Sequence, residues 1–388
     1  MNEDVRRLAL AVYLPSVIFS FADGLLIPTL PLFAASFEVS LWVVGVALAG
    51  EAIGMLLADA PVGWLLRKMP QKSAMLLGGG LTALAALATA AAPNLALIIV
   101  LRVLSGMGLA LFGIARHAYL AQATRGGRRG RTIAIYGGVN RLGVFVGPAV
   151  GGAVAMLLGL RAPFVLYAVL AVCALLLVMR FLPREVASGR QLGRLRARRA
   201  LRVAGPVLVN AGLGQVLGQT ARAGRKVLIP LFASQVLGLG ALDVGLIVSL
   251  SGLVDMAMFY PAGLLMDTRG RKHAIVPCFV IMALGMLVVP FTTGFASLLG
   301  AALLIGLGNG LGSGTMMTLG ADLAPDAATG EFLGLWRMIG DAGMVSGPLL
   351  VGAVAQFTTL GISAGAVALV SAAAAGWFAF RVPETLRR

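Results

Sequence analysis

The sequence predicts an all-α integral membrane protein of twelve transmembrane helices, arranged as two six-helix bundles related by a pseudo-two-fold axis along the membrane normal. Three observations predict it: an apolar composition, a series of apolar stretches of membrane length, and a repeat of half the chain. Hydrophobic residues make up 59% of the sequence and charged residues 12%, against roughly 45–50% and 25% in soluble domains. The 52 glycines suit helices that approach closely in lipid. The bilayer is the solvent this composition requires.

A spanning helix needs about 20 mostly apolar residues. That ruler places spans near 8–36, 41–66, 73–92, 95–120, 132–159, 162–181, 203–236, 242–266, 274–293, 295–323, 331–357 and 361–381. The first stretch is too long for a signal-peptide core and lacks a cleavage site, so it reads as a span. Gly and Pro interrupt many spans, which membrane helices tolerate when neighbours satisfy the freed backbone groups.

The net charge of +16 would point to nucleic acid only if it formed a folded basic face. Instead the Lys and Arg residues cluster between spans. Arg6 and Arg7, Arg67, Lys68 and Lys72, Arg125 to Arg131, Arg180 to Arg202, Arg269 to Lys272, and Arg381 to Arg388 all fall on one side, while the opposite loops hold only Arg161. By the positive-inside rule both termini are cytoplasmic, and the cytoplasmic (inner) membrane is the expected location. The division expected is a bundle over 1–182, an Arg-rich cytoplasmic linker over 183–202 and a bundle over 203–388. The linker is a solvated connector or, alternatively, a surface for anionic lipid.

Shifting the chain by 200 positions brings its halves into register. Gly147-Pro148 meets Gly347-Pro348, Pro61, Gly63, Leu65 and Lys72 meet Pro261, Gly263, Leu265 and Lys272, and Gly106 and Gly108 meet Gly306 and Gly308. Six spans per half imply parallel repeats, and transporters so built bind cargo between halves near mid-membrane.

Ionisable residues at mid-bilayer cost about 2.5–3.5 kcal/mol each on insertion scales, so they face a cavity or a partner. The embedded set is Asp23, Glu51, Asp59, Arg102, Arg116, Arg141, Arg222, Arg225, Lys226, Asp255, Arg337 and Asp341, and it spares spans 3, 6, 9 and 12. Those four are expected to face lipid. Cys173 and Cys278 lie in apolar runs and read as buried small hydrophobes. No metal site, nucleotide-binding loop or enzymatic constellation is visible, so no cofactor beyond an ion gradient is expected.

These features carry a resemblance. The loop pattern Gly263, Leu265, Asp267, Gly270, Arg271, Lys272, the span-4 pair Arg102 and Gly106, the span-5 series Gly143, Gly147, Pro148, Gly151, Gly152, and the opening Gly24, Pro28, Leu30, Pro31 resemble the major facilitator superfamily, and within it the twelve-span drug/proton antiporter branch. The first-half copy of the loop pattern keeps Gly63, Leu65 and Lys72 but has Arg67 in place of the acid and Pro70 in place of the glycine.

The resemblance implies a hinge at the span-5 glycines and Pro148, the alternative being tight packing without gating. It implies a latch at Asp267, which could rest against the N-terminus of span 5 around Thr132, where charge–dipole contact is worth about 0.3–1 kcal/mol. Arg67 and Glu331 form the proposed inverted counterpart, or else are two solvated charges. For proton coupling Asp23 is the first candidate, set against Arg222 across the cavity, with Glu51, Asp341 and Arg102 next. Shielding from water favours a protonated acid and a nearby Arg favours the ionised one. Arg141, Arg222, Asn210, Gln219, Asp255, Asn309 and Arg337 are the candidate cavity lining, with Arg141 facing Asp341.

The function expected is secondary active transport: proton-coupled export, by alternating access, of a small amphipathic or lipophilic compound. The partners expected are that cargo, protons and the lipid bilayer, with no nucleic acid and a monomeric assembly. The positive embedded set leaves an organic anion or anionic lipid open as cargo. A non-transporting sensor or scaffold is the alternative of another class, which the short loops disfavour.

Overall fold

The computed structural model describes residues 9–66, 68–123, 129–183, 194–325 and 328–386, and among them every regular element is helical. A π-turn at Ala9–Tyr13 leads into α1 (Leu14–Ala35), followed by α2 (Leu41–Leu65), α3 (Gln71–Ala91), α4 (Leu95–Ala123), α5 (Arg129–Leu158) and α6 (Ala162–Phe181). The second half holds α7 (Arg194–Gln235), α8 (Ala241–Ala257), α9 (Phe259–Thr268), α10 (Lys272–Val288), α11 (Phe295–Leu311), α12 (Thr315–Leu323), α13 (Thr329–Phe357) and α14 (Leu360–Phe380). Among the described residues, ten segments are long and apolar enough to cross a membrane. The remaining two of the twelve spans are α5, whose apolar part is Phe145–Leu158, and the 42-residue α7.

The structure departs from the sequence reading at three elements. The part of the expected linker from Arg194 to Arg202 is helical, because α7 already starts at Arg194; its Arg, Leu and Ala residues are strong helix formers. Span 8 breaks at Met258, between α8 and α9, one turn before Pro261, whose ring removes a backbone bond. Span 10 breaks between α11 and α12, where Gly314 takes φ +76°, a conformation glycine adopts without steric cost.

By contacts the chain divides into two compact units. One comprises Met1–Val39, Gly50–Gly189 and Gly240–Ser249, the other Ser40–Ala49, Arg190–Leu239 and Leu250–Arg388. In the first, α1 packs on α5 and α6, and α3 on α4 and α6. In the second, α7 packs on α13 and α14, and α10 on α11 and α14. These are the same pairings displaced by half the chain, as the repeat predicts.

Glycine sets the closest of these approaches. A Cβ on Gly147 of α5 would lie 2.6 Å from Cα of Gly24 on α1, and one on Gly347 of α13 would lie 2.5 Å from the Gly224 nitrogen on α7. On α4, a Cβ at Gly106 would overlap the Glu51 carbonyl oxygen of α2, while Gly306 stands in the same relation to Ser251. Small residues in these rows let helix backbones touch, which is how helices gain packing energy in lipid.

Between these rows the cores are aromatic. Phe19 and Phe112 lie 4.5 Å apart by ring centroid in the first unit. In the second, Phe279 stacks on Phe378, and the Trp336 indole donates to the Met316 carbonyl at 2.9 Å. Val165, Val169, Val172, Leu176 and Met179 form an exposed apolar stripe on α6, and Leu77, Leu84 and Leu87 do so on α3. Cys173 is exposed on α6, against expectation, whereas Cys278 is buried. Helical spacing puts Cys173 beside Val169 and Val172 on the outward stripe.

Candidate functional site

In the first unit, the embedded groups sort into differently bonded sets. Glu51 on α2 and Arg102 on α4 form an ion pair of 2.6 Å, allowed by the glycine approach beside it. Arg116 donates to the Ser16 hydroxyl at 3.3 Å, and that hydroxyl donates to the Val12 carbonyl. Asp23 on α1 stands differently: its Oδ1 accepts from the Tyr167 hydroxyl of α6 at 2.9 Å. No Lys or Arg nitrogen lies within 4.0 Å of Asp23 among the described residues.

Sequence reasoning missed Tyr167. A signal was present, since a buried phenol needs a hydrogen-bond partner and this one sits in an otherwise apolar span.

Breaking a buried ion pair from one side typically costs about 3–5 kcal/mol, whereas replacing both partners is often nearly neutral. Arg102 is 10% exposed and Glu51 27%, so the lower part of that range applies. Arg102→Leu is therefore expected to lower the melting temperature in detergent more than Arg102→Leu with Glu51→Leu. Equal losses in the single and double variants would argue against the pair.

In the second unit, Asp255 on α8 is the shared acceptor. It takes hydrogen bonds from the Asn309 amide and the Ser313 hydroxyl, and lies 3.6 Å from the Arg225 guanidinium. Arg222, one turn before Arg225 on α7, donates to the Gly312 carbonyl at 2.9 Å, at the break of span 10. Its guanidinium also lies over the Phe279 ring. Asp341 pairs with Arg337 on its own helix at 3.5 Å.

Among the other candidate lining residues, Asn210 offers its carbonyl to the Trp377 indole, and Gln219 is half-buried. The Arg141 side chain lies outside the described residues, so its facing of Asp341 does too.

The loop pattern forms a network at the end of the second unit. Arg271 donates from Nε to Asp322 at 2.9 Å, from Nη1 to the Met266 carbonyl, and pairs with the exposed Asp267 at 3.2 Å. Its pKa is raised, chiefly by the hydrogen bond to Asp322. Gly270 takes φ +111°, and a Cβ there would strike the Glu384 carboxylate. Glu384 accepts from the backbone N–H groups of Arg271, Lys272, Thr385 and Leu386. Partial burial acts to raise its pKa, but those four donors outweigh it and hold the group below the ordinary glutamate range.

A depressed carboxylate lends stability above its unfolded pKa and loses it as pH falls through its folded pKa. The first amides of α10 are thus expected to exchange faster as pH drops below the ordinary glutamate range, after correction for intrinsic rates, and Glu384→Gln to remove that dependence. Identical pH profiles in both proteins would count against the network.

Lys272 donates to the Ala379 carbonyl, closing α14, and its repeat counterpart Lys72 donates to the Met179 carbonyl, closing α6. Read from sequence as orientation charges, these two lysines also cap helix C-termini, where cations are favoured. Gly63 and Gly263 have open space where a Cβ would stand. Arg67, the partner assigned to Glu331, and the Thr132 side chain, the rest assigned to Asp267, lie outside the described residues.

Comparisons with known proteins place this arrangement. The Major Facilitator Superfamily model matches residues 12–221 and again 211–388. The galactose-proton symporter of Escherichia coli K12 is 29% identical over 127 residues, 32% of this chain and 26% of the symporter. A probable inositol transporter 2 of Arabidopsis thaliana is 28% identical over 143 residues, 35% of this chain and 24% of that protein. The chain thus matches about a quarter of the length of these two relatives. An uncharacterized MFS-type transporter of Methanocaldococcus jannaschii is 21% identical across 88% of both chains.

Among solved structures, a D-xylose-proton symporter superposes with TM-score 0.79 at 18% identity, over 98% of both chains. The human organic anion transporter MFSD10 gives 0.70 at 17% identity, covering 97% of this chain and 100% of that one. At these identities the likeness is one of fold. Two family matches covering residues 12–388, on a twice-repeated six-span architecture, identify the chain as a member of the major facilitator superfamily, a multi-pass membrane protein.

Proposed function

We propose that the chain is a proton-coupled exporter of small amphipathic compounds, working by alternating access in the cytoplasmic membrane with both termini inside. Asp23 carries this reading. Glu51, Asp255 and Asp341 each have a cationic partner, whereas Asp23 is bonded to a neutral phenol. A phenol donates to a carboxylate and accepts from a carboxylic acid, so either protonation state of Asp23 keeps a hydrogen bond. An acid so held can load a proton on one side of the membrane and release it on the other.

Support for export is the span-5 series from Gly143 to Gly152, which resembles the antiporter branch. The symporters among the relatives favour the opposite coupling sense, and one experiment separates the two. In proteoliposomes with an imposed pH gradient, an antiporter moves cargo against the proton flow and a symporter with it. Transport indifferent to collapse of the gradient would reject proton coupling in either sense.

A further inference from the structure

We propose that the second unit holds a binding site for one oxyanion, a carboxylate borne by the amphipathic cargo, built on Arg222 and Arg225 of α7. The inference deepens the transport reading above and rests on it, since the anion is taken to be what is carried. The charges do not close among themselves. Among the described residues, two guanidinium groups one helical turn apart have a single carboxylate in reach, Asp255, and it pairs with Arg225 alone, leaving the charge of Arg222 without a carboxylate inside a membrane span.

The hydrogen bonds do not close either. Asp255 already accepts from Asn309 and Ser313, so Arg225 reaches it only at 3.6 Å. Arg222 has no carboxylate within 4.0 Å among the described residues, and its contacts are the Gly312 carbonyl, the Cys278 sulfur at 3.8 Å and the Phe279 ring. Each of the two Nε–H groups is buried with no acceptor.

A guanidinium carries five donors in a planar fork, and orphaned donors of a buried cation are costly. A carboxylate answers both deficits. It supplies one negative charge to offset the excess and two oxygens to meet the free donors of the paired forks. The edge of the site is open, because Arg225 and Asp255 keep 14% and 20% of their side-chain surface exposed, and the buried Nε–H groups meet the carboxylate on rotation of the guanidinium forks. An uncharged or cationic amphiphile would leave the deficits in place, and a cation would meet like-charge repulsion. Asn309 and Ser313 are assigned the task of holding Asp255 away from full pairing with Arg225.

The test is equilibrium binding to the full-length protein in phosphatidylcholine nanodiscs, without a pH gradient and with empty nanodiscs subtracted. The probes are decanoate, decanol and decylamine, which share a tail and differ in charge. The expected order is decanoate tightest, by roughly tenfold or more over decanol, with decylamine weakest. Arg222→Gln should erase the decanoate advantage and Arg222→Lys should keep part of it.

Equal binding of decanoate and decanol, or preference for decylamine, overturns the proposal on the wild-type protein alone, whether or not the variants fold. If phosphatidylglycerol added to the nanodiscs displaces decanoate completely at trace levels, the occupant is a lipid headgroup and the cargo assignment falls. Because no gradient is applied, a failure of proton coupling would leave these outcomes unchanged.

Discussion

Asp23→Asn should abolish accumulation of cargo against its gradient while leaving exchange of cargo for cargo intact. For one proton per cargo, one pH unit corresponds to about 1.4 kcal/mol and sustains about a tenfold concentration ratio. Removing the titrating group should bring that ratio to unity at every imposed pH. Asn is close to isosteric with Asp and still accepts from the Tyr167 hydroxyl now bonded to Asp23, so the first unit should keep its packing. Tyr167→Phe is expected to do less. It removes the neutral partner without removing the acid, so coupling should persist with a displaced pH profile. A gradient-driven ratio that survives in Asp23→Asn would leave the fold untouched and remove Asp23 as the carrier. Coupling would then have to involve Glu51 or Asp341 with its cationic partner, through a pair that must open during the cycle.

Gly106→Val should be the most destabilising single substitution considered for the first unit. A Cβ at Gly106 would overlap the Glu51 carbonyl oxygen on α2, which is backbone and cannot rotate aside. Overpacking of a tight interior typically costs about 1–3 kcal/mol. Here the displaced helix also bears Glu51, whose ion pair with Arg102 spans 2.6 Å and would be pulled apart. The two losses together should reach about 4 kcal/mol or more. In practice this means aggregation in detergent or failure to insert stably. Gly113→Ala is the control on the same helix, since a Cβ there meets nothing within 4 Å; it should melt close to the wild type. Comparable melting of the two variants would show that α2 and α4 do not depend on this approach.

Much of the architecture was legible because its signals are linear. The span beginning at Leu95 in the sequence reading begins at Leu95 in the structure, and the stretch drawn from 162 to 181 is α6, Ala162–Phe181. The sequence reading carries spans 8 and 10 through unbroken, although Pro261 and the run Gly310, Gly312, Gly314 stand in the sequence. Elsewhere a proline such as Pro148 sits inside an unbroken helix. Whether a freed carbonyl finds another donor depends on its surroundings, and at Gly312 the donors are the Thr315 hydroxyl and Arg222 of a neighbouring helix.

The candidate site was legible as a set of residues but not as a set of pairs. Glu51 and Arg102 were both singled out without being joined, and Tyr167 was absent from the reading. Asp267 is expected against the N-terminus of span 5, which lies outside the described side chains; among the described residues it pairs with Arg271 in its own loop. Nothing in the linear pattern marks Glu384, which gathers four backbone N–H groups.

The sequence alone determined the solvent, the positions of the spans, the doubling of the unit and the family. Each follows from apolar run length, charge between runs or repetition, which are properties of order along the chain. The tertiary structure decided which acid meets which base, which acid meets none, and where guanidinium donors are left over. Those outcomes depend on the rotation of each helix about its axis and on how closely its neighbour approaches. Both are set by packing between residues far apart in the chain, such as Asp23 with Tyr167 and Arg222 with Gly312.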